Sequence, residues 1–305
     1  MDQAPAIRFE ALTKTYGPVR ALDAVDLTVN RGVIFGFLGP NGAGKTTAIR
    51  CLLDLIRPNG GRAMLCGLDS RRDSIEVRRR AGYLPGDLRL YEGLTGAQTI
   101  ELFTSLRQGA VDAAYRRRLL DRLDLDPTKQ VGSLSKGNKQ KLGLVLAMMH
   151  QPEVLVLDEP TSGLDPLVQE EVALLLRDHV SAGRTVFFSS HVLSEVENLC
   201  DHVGFIRAGR MVAVEEVGAL KGRSLHILEV TFAAPVPPGA FDLPGVREVE
   251  RRGPVVHLEV RDAIDTALKA IARFEVVDLR TEQPSLEQVF LAYYHDNQPE
   301  VPSAT

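Results

Sequence analysis

Nine residues, GPNGAGKTT at positions 39–47, constrain this chain more than any other feature. They follow a short apolar run, VIFGFLG (33–39), and precede TAIRCLLDLI, which reads as a helix. GxxxxGK[ST] in that strand–loop–helix setting is the phosphate-cradling P-loop. Gly39, Gly42 and Gly44 permit turns that aim successive backbone N–H groups at phosphate oxygens, with Pro40, Asn41, Ala43 and Thr47 completing the cradle. Lys45 is placed to reach the β- and γ-phosphates, and the Thr46 hydroxyl to ligate Mg²⁺. These residues point to a nucleoside triphosphate as ligand.

VLVLDEP (154–160) supplies the complement. Four apolar residues bury a strand and deliver Asp158 to its end, where it can hold Mg²⁺ through water. Glu159 follows at once, placed to orient and polarise an attacking water, although a turn-capping role before Pro160 would use the same residue. VIFGFLG, VLVLD and TVFFSSH (185–191) are continuous apolar runs, suited to central strands of a parallel sheet covered on both faces. AIRFEALTKTYG and ALDAVDLTVNRG instead alternate, as antiparallel strands with one wet face do, and HVGFIRAGRMVA (202–213) reads as a closing hairpin.

Between Leu88 and Met149 the pattern turns helical and rich in Leu and Arg, giving a helical lobe over 88–150 inserted between core strands. Within it, SLSKGNKQKLG (133–143) sets Lys136, Lys139 and Lys141 near the start of a helix. Acidic residues are the usual choice there, because that end is already partly positive. The arrangement suits a docking anion, yet the chain carries a complete phosphate cradle about ninety residues earlier. Ser135 also reads as an ordinary N-cap, and both roles are compatible.

The boundaries expected are a first domain over 1–215, a linker over 216–224, an α+β accessory domain over 225–296 and a flexible tail over 297–305. LHILEVTFA, REVERRGPVVHLEV and EVVDLRTEQ read as strands of the accessory domain, and DAIDTALKAIARF and SLEQVFLAYYHD as its helices. The composition is that of an ordinary globular protein, and a formal net charge of −4 argues for no general nucleic-acid or membrane-surface partner. Cys51, Cys66 and Cys200 lie in apolar surroundings and read as reduced structural thiols. MDQAPAIRFE has no basic region before an apolar core, and no apolar run reaches the length of a spanning helix, so a chain that neither carries a secretory signal nor crosses a membrane is expected.

In their order and context these motifs resemble the nucleotide-binding subunit of ATP-binding cassette (ABC) transporters, over residues 6–215. GPNGAGKTT is similar to that family's Walker A, VLVLDEP to its Walker B, LSKGN (134–138) to its signature, SGLDP (162–166) to its D-loop and SSH (189–191) to its switch-histidine segment. The resemblance implies an α/β P-loop NTPase fold of the ABC type: a mixed sheet core, an antiparallel β subdomain and an inserted helical lobe, here with a small C-terminal α+β domain. It implies ATP and Mg²⁺ as ligands, Tyr16 as the aromatic that stacks on adenine, and His191 as a contact to the γ-phosphate or the water. Two such subunits pack head to tail in that family. Ser135 and the backbone at Gly137 would therefore cap a nucleotide held by a second ATP-binding subunit, and Asp165 would act at the seam.

Two positions depart from the commonest family pattern. Lys136 and Asn138 stand inside the signature, Lys136 either drawing anions inward or lying in solvent. Gly86, in GYLPGD (82–87), stands where many relatives have a glutamine that approaches the metal; Asp87 is the candidate stand-in. The resemblance further implies a separate transmembrane permease, docking where Leu88, Leu90, Tyr91 and Leu94 form either a groove floor or ordinary core. It places the subunit peripherally at the cytoplasmic face of the membrane. PSLEQVFLAYY is similar to the tail of bacterial exporter ATPases whose permease is a separate chain, so ATP hydrolysis driving export is expected, and the family resemblance implies a homodimer, with two copies of this chain per transporter, or a pair with a second cassette. The alternative is a non-transport cassette ATPase acting on ribosomes or DNA, but the ninety-residue spacing leaves room only for a helical lobe, and no nucleic-acid partner is expected.

Overall fold

Alternating apolar residues build β1 (Ile7–Tyr16) and β2 (Val19–Val29), an antiparallel pair with Ile7 opposite Val29. The chain, a computed structural model that describes residues 4–107, 111–222 and 225–282, divides into two compact units, Met1–Glu215 and Glu216–Thr305. In the first unit the buried run IFGFL forms β3 (Ile34–Leu38), and after the glycine-rich loop comes α1 (Lys45–Leu52). β4 (Gly60–Leu65) and β5 (Leu68–Asp69) extend the antiparallel sheet in the order β2-β1-β4-β5. Sequence alternation does not show these two strands. GGRAML has no two-residue period, and its pairing follows from close approach: a Cβ on Gly61 would stand 2.2 Å from the Ala11 carbonyl.

A second sheet carries the site. After α2 (Ser74–Arg80) come β6 (Ala81–Leu84), β7 (Val154–Asp158), β8 (Thr185–Ser190), β9 (His202–Arg207) and β10 (Arg210–Glu216). The order is β10-β9-β3-β8-β7-β6, and every pairing from β9 to β6 is parallel. The five residues of β3 and of β7 and the six of β8 are all buried, as expected of strands covered on both faces. Phe35 and Phe37 pack on Phe187 with ring centroids 5.8 and 5.4 Å apart, which ties β3 to β8 at mid-strand.

Between β6 and β7 lie α3 (Gly96–Leu106), α4 (Ala113–Arg122) and α5 (Lys136–Met148), the helical lobe. A capping box of Thr95 and Gln98 starts α3, and Asp112 caps α4 by accepting from Ala114 and Tyr115 N–H. α6 (Pro166–Ser181) and α7 (Leu193–Leu199) flank β8. All three cysteines are free and buried, and burial pushes the Cys51 and Cys66 thiols up to about 11. Among the described residues no helix is long and apolar enough to cross a membrane.

Within 216–224, expected as a linker, residues 217–222 form α8 (Val217–Gly222). The second unit then builds β11 (Leu225–Phe232), β12 (Val246–Arg252) and β13 (Val255–Arg261). α9 (Ile264–Ile271) and β14 (Val276–Glu282) follow, with sheet order β12-β13-β11-β14. REVERRGPVVHLEV is thus a hairpin turning at Gly253, whose φ of +59° suits a residue without Cβ. One face packs Leu228, Val230, Val256, Leu258 and Val260 against Ala267 and Ile271 of α9. The helix expected at SLEQVFLAYYHD and the tail 297–305 lie outside the described residues.

Candidate functional site

Parallel register brings the separate motifs together. Leu38 pairs with Ser190 and Asp158 with Ser189, so the carboxyl ends of β3, β8 and β7 lie side by side. Ligands of open α/β sheets bind outside those ends.

The P-loop owes its shape to what its glycines touch. A Cβ on Gly39 would stand 2.3 Å from the Ile206 carbonyl oxygen, and one on Gly44 2.5 Å from that of Ala21. Gly44 also has φ +109° and Gly42 φ +79°, conformations that side chains rarely adopt. The loop is closed by Ala43 N–H donating to the Pro40 carbonyl (3.1 Å) and braced by Gly209 N–H donating to the Ala43 carbonyl (3.0 Å). Gly209 sits in the turn between β9 and β10, beside Ala208, both with positive φ. Gly44 caps α1 without a side chain, and no acid occupies the first turn. The N–H groups that begin α1 therefore remain to receive an anion. Lys45, only 6% exposed, donates from Nζ to the carbonyls of Gly39 (2.5 Å) and Pro40 (3.1 Å). Burial lowers its pKa, and the charges of Glu159 and Asp158 oppose that shift.

Asp158 is 2% exposed and is gripped by hydroxyls rather than by a cation: Thr46 Oγ1 donates to Oδ2 at 2.7 Å, and Ser189 Oγ to Oδ1. A buried carboxylate bonded to a threonine hydroxyl gives a hard oxygen donor set, the kind that holds Mg²⁺ beside substrate phosphates. Among the described residues no cluster of three or more His, Cys, Asp or Glu could hold a metal, so the phosphates themselves would have to share the ion. Glu159 has φ +53°, an uncommon conformation for a residue with a Cβ. Its N–H donates to the carbonyl and hydroxyl of Ser189 (3.2 and 3.3 Å), and its carboxylate lies 3.0 Å from His191 Nδ1. Base candidate and switch histidine are already in contact.

Ser135 caps α5, its Oγ accepting from Asn138 N–H at 3.2 Å. Gly137 faces the D-loop, where a Cβ would stand 2.9 Å from the Gly163 carbonyl. Lys136 neither points to an anion nor extends freely: its Nζ donates to Ser162 Oγ at 3.3 Å and its stem packs on Gly163. Asp165 caps α6 by accepting from Val168 N–H at 3.0 Å, with Pro166 at the first helical position. Tyr16 is half exposed, with Lys14 Nζ 5.1 Å from its ring centroid. Among the described residues no hydrogen bond or ion pair links Ser135, Gly137, Asp165 or Tyr16 to the P-loop. Gly86 lies against the site, since a Cβ there would stand 3.3 Å from Asp158 Oδ2. Asp87 does not stand in for the missing side chain; it is exposed and paired with Arg89 at 3.0 Å. Leu88, Leu90 and Leu94 are half-buried, while Tyr91 is 67% exposed.

Three residues that sequence reasoning did not single out belong to the arrangement. Gln140 sends its carboxamide to the main chain at Glu159 and Pro160, and Ser189 holds both Asp158 and Glu159. Glu195 receives the hydroxyls of Thr161 and Ser190. Gln140 and Glu195 sit among polar residues of their helices, where no sequence motif marks them.

Comparison with known proteins bears on the family and the fold. The family profile described as "ABC transporter" matches residues 22–162, and one described as an AAA domain matches 130–197. The daunorubicin resistance ATP-binding protein DrrA2 of Streptomyces coeruleorubidus is 38% identical, the alignment covering 94% of each chain. The bacitracin transport ATP-binding protein BcrA of Bacillus licheniformis is 38% identical over 73% of this chain and 74% of its own. Among solved structures, an ATP-binding subunit of an ABC transporter superposes with a TM-score of 0.66 at 27% identity, covering 71% of this chain and 92% of that one. The dimeric cassette MJ0796, 22% identical with a TM-score of 0.63, shares the fold.

Proposed function

This chain belongs to the ATP-binding, ATP-hydrolysing subunits of ABC transporters, and from that premise we propose that it drives export through a separate membrane permease by closing, with a second copy of itself, around two ATP molecules. The observation that carries the catalytic part is the convergence of Lys45, Thr46, Asp158, Glu159 and His191 at three adjacent strand ends. Lys45 and the N–H groups from Gly42 to Thr47 would bind the phosphates, and Tyr16 the adenine. Thr46 and Asp158 would hold Mg²⁺, which when bound neutralises charge on the transferred phosphoryl group. Glu159 would take a proton from the attacking water or orient it, and His191 would steady Glu159 and the γ-phosphate.

The helical signature gives the reason for pairing. Ser135 and Gly137 have no link to their own P-loop, but they begin a helix whose first turn carries lysines and no acid. That end suits a phosphate presented by the partner copy, and Asp165 would lie at the same seam. The names of the two relatives above, a daunorubicin resistance and a bacitracin transport ATP-binding protein, support export of a bulky antibiotic-like cargo through a separate transmembrane permease, with this subunit held peripherally at the cytoplasmic face of the membrane. Exposed Tyr91 with Leu88, Leu90 and Leu94 would receive the permease.

Glu159→Gln tests the reading. The variant should bind ATP, lose about 100-fold or more in turnover, and accumulate as an ATP-bound dimer by light scattering. Near-normal hydrolysis would remove Glu159 from the mechanism, and an ATP-loaded variant that stays monomeric at every concentration would remove the composite site.

A further inference from the structure

Glu195 stands outside every motif described above, on α7, yet its two carboxylate oxygens are separately engaged. Thr161 Oγ1 donates to Oε1 at 2.6 Å and Ser190 Oγ donates to Oε2 at 2.7 Å. Among the described residues no lysine, arginine or histidine forms an ion pair with it. A half-buried carboxylate held by hydroxyls alone is a geometric device rather than a charge pair.

What it joins is informative. Thr161 is two residues beyond Glu159, and Ser190 is the residue before His191. Glu159 and His191 touch at 3.0 Å. A closed ring results: Glu159, along the main chain to Thr161, across to Glu195, across to Ser190, along the main chain to His191, and back to Glu159. Two of its three non-covalent links end on Glu195. Ser190 is 2% exposed and also accepts from Val192 N–H at 2.9 Å, so its hydroxyl is fixed at both ends of the turn that carries His191. The other side of the ring begins at Glu159 in its left-handed conformation, which surrounding contacts must maintain.

We propose that Glu195 is a positioning residue for ATP hydrolysis: by receiving Thr161 and Ser190 on separate oxygens it sets the spacing of Glu159 and His191. The inference rests on the reading that those two residues act on the attacking water. It requires a carboxylate or its isostere at 195, because a single side chain must satisfy two hydroxyls at once. Glutamine keeps one oxygen for Thr161 and can donate its amide to Ser190 Oγ. Alanine offers neither.

Steady-state ATPase kinetics of the full-length chain with Mg-ATP give the test. Glu195→Ala should lower kcat about tenfold or more while KM stays within about twofold, since a displacement of an ångström at the reacting centre is enough for such a loss. Glu195→Gln should recover to within about threefold of the parent. In a His191→Ala background, Glu195→Ala should cost less than about twofold more, because the ring is already open. Should Glu195→Ala fail to fold, Thr161→Val opens one arm alone and should reproduce part of the kcat loss at unchanged KM. Parental kcat in Glu195→Ala with an inactive Glu159→Gln would overturn the clamp and leave the base standing. Full loss in Glu195→Gln, or equal losses with and without His191, would reduce Glu195 to a scaffold residue and overturn the proposal. An active Glu159→Gln would instead sink the reading beneath it.

Discussion

The carboxamide nitrogen of Gln140 lies 3.1 Å from the main-chain carbonyl oxygens of both Glu159 and Pro160, so one buried side chain on the signature helix holds the peptide that carries the candidate base. In the proposed dimer, this would couple the end of α5 that meets the partner's phosphate to hydrolysis in its own chain. Gln140→Leu should leave two carbonyls without their donor and destabilise the chain by about 1–3 kcal/mol. Urea denaturation measures this, and an unchanged midpoint with unchanged ATPase activity would show that the link carries no weight.

Lys45→Ala should lower affinity for ATP about 100-fold, because a charge-assisted contact to the phosphates is lost. Titration with a fluorescent ATP analogue reads the change. Lys45 Nζ donates to the carbonyls of Gly39 and Pro40 in a loop open to solvent, where water can replace it, so the thermal midpoint without nucleotide should move less than in Gln140→Leu.

Ser135→Ala distinguishes a helix cap from a phosphate contact. Loss of the cap alone should cost about 1 kcal/mol of stability and leave each site's affinity for ATP intact. In mixed dimers that pair the variant with the parent chain, the proposed arrangement predicts that only the site facing the altered serine is impaired. Equal impairment of both sites, or of the variant's own site, would contradict a signature acting across the seam.

Buried His179 and half-buried His150 set a pH dependence. Burial lowers the pKa of His179 to about 4 and of His150 to about 3, with Arg184 and Arg107 adding to the respective shifts. In the unfolded chain both titrate near 6.5, so below that pH the unfolded state binds protons that the folded state refuses. Stability is thus full above pH 6.5 and falls with acidification toward pH 4, by up to about 1.4 kcal/mol per pH unit for each histidine. His179→Leu should flatten that slope in denaturation curves taken from pH 7 to pH 5; an unaltered slope would mean that His179 is not held neutral.

Much of this was written in local pattern. The P-loop, the buried runs that become β3, β7 and β8, and the acid pair Asp158–Glu159 announce themselves because each depends on a few contiguous residues. β4, β5 and β6 do not, since GGRAML and AGYL gain their strand character from backbone approach and from neighbours already in place. The roles of Gln140, Ser189 and Glu195 were equally hidden. Each has a partner 19 to 34 residues away that only the fold brings near. The left-handed Glu159 could not be read either, because nothing in DEP demands it; Ser189 and Gln140 impose it from two sides. Conversely, Asp87 was a reasonable guess from adjacency, but Arg89 claims it.

The Gly209 brace on the Ala43 carbonyl has a consequence for the order of synthesis. β3 emerges from the ribosome early, yet its two sheet neighbours, β8 and β9, are made some 150 residues later, and the turn that props the P-loop comes last of all. A nascent or prematurely terminated chain lacking residues beyond about 200 contains every letter of the cradle and cannot assemble it. Competence for nucleotide should thus wait on closure of the final hairpin of the first unit, and chains ending before it are expected to bind ATP poorly, which nucleotide titration of such a fragment would check.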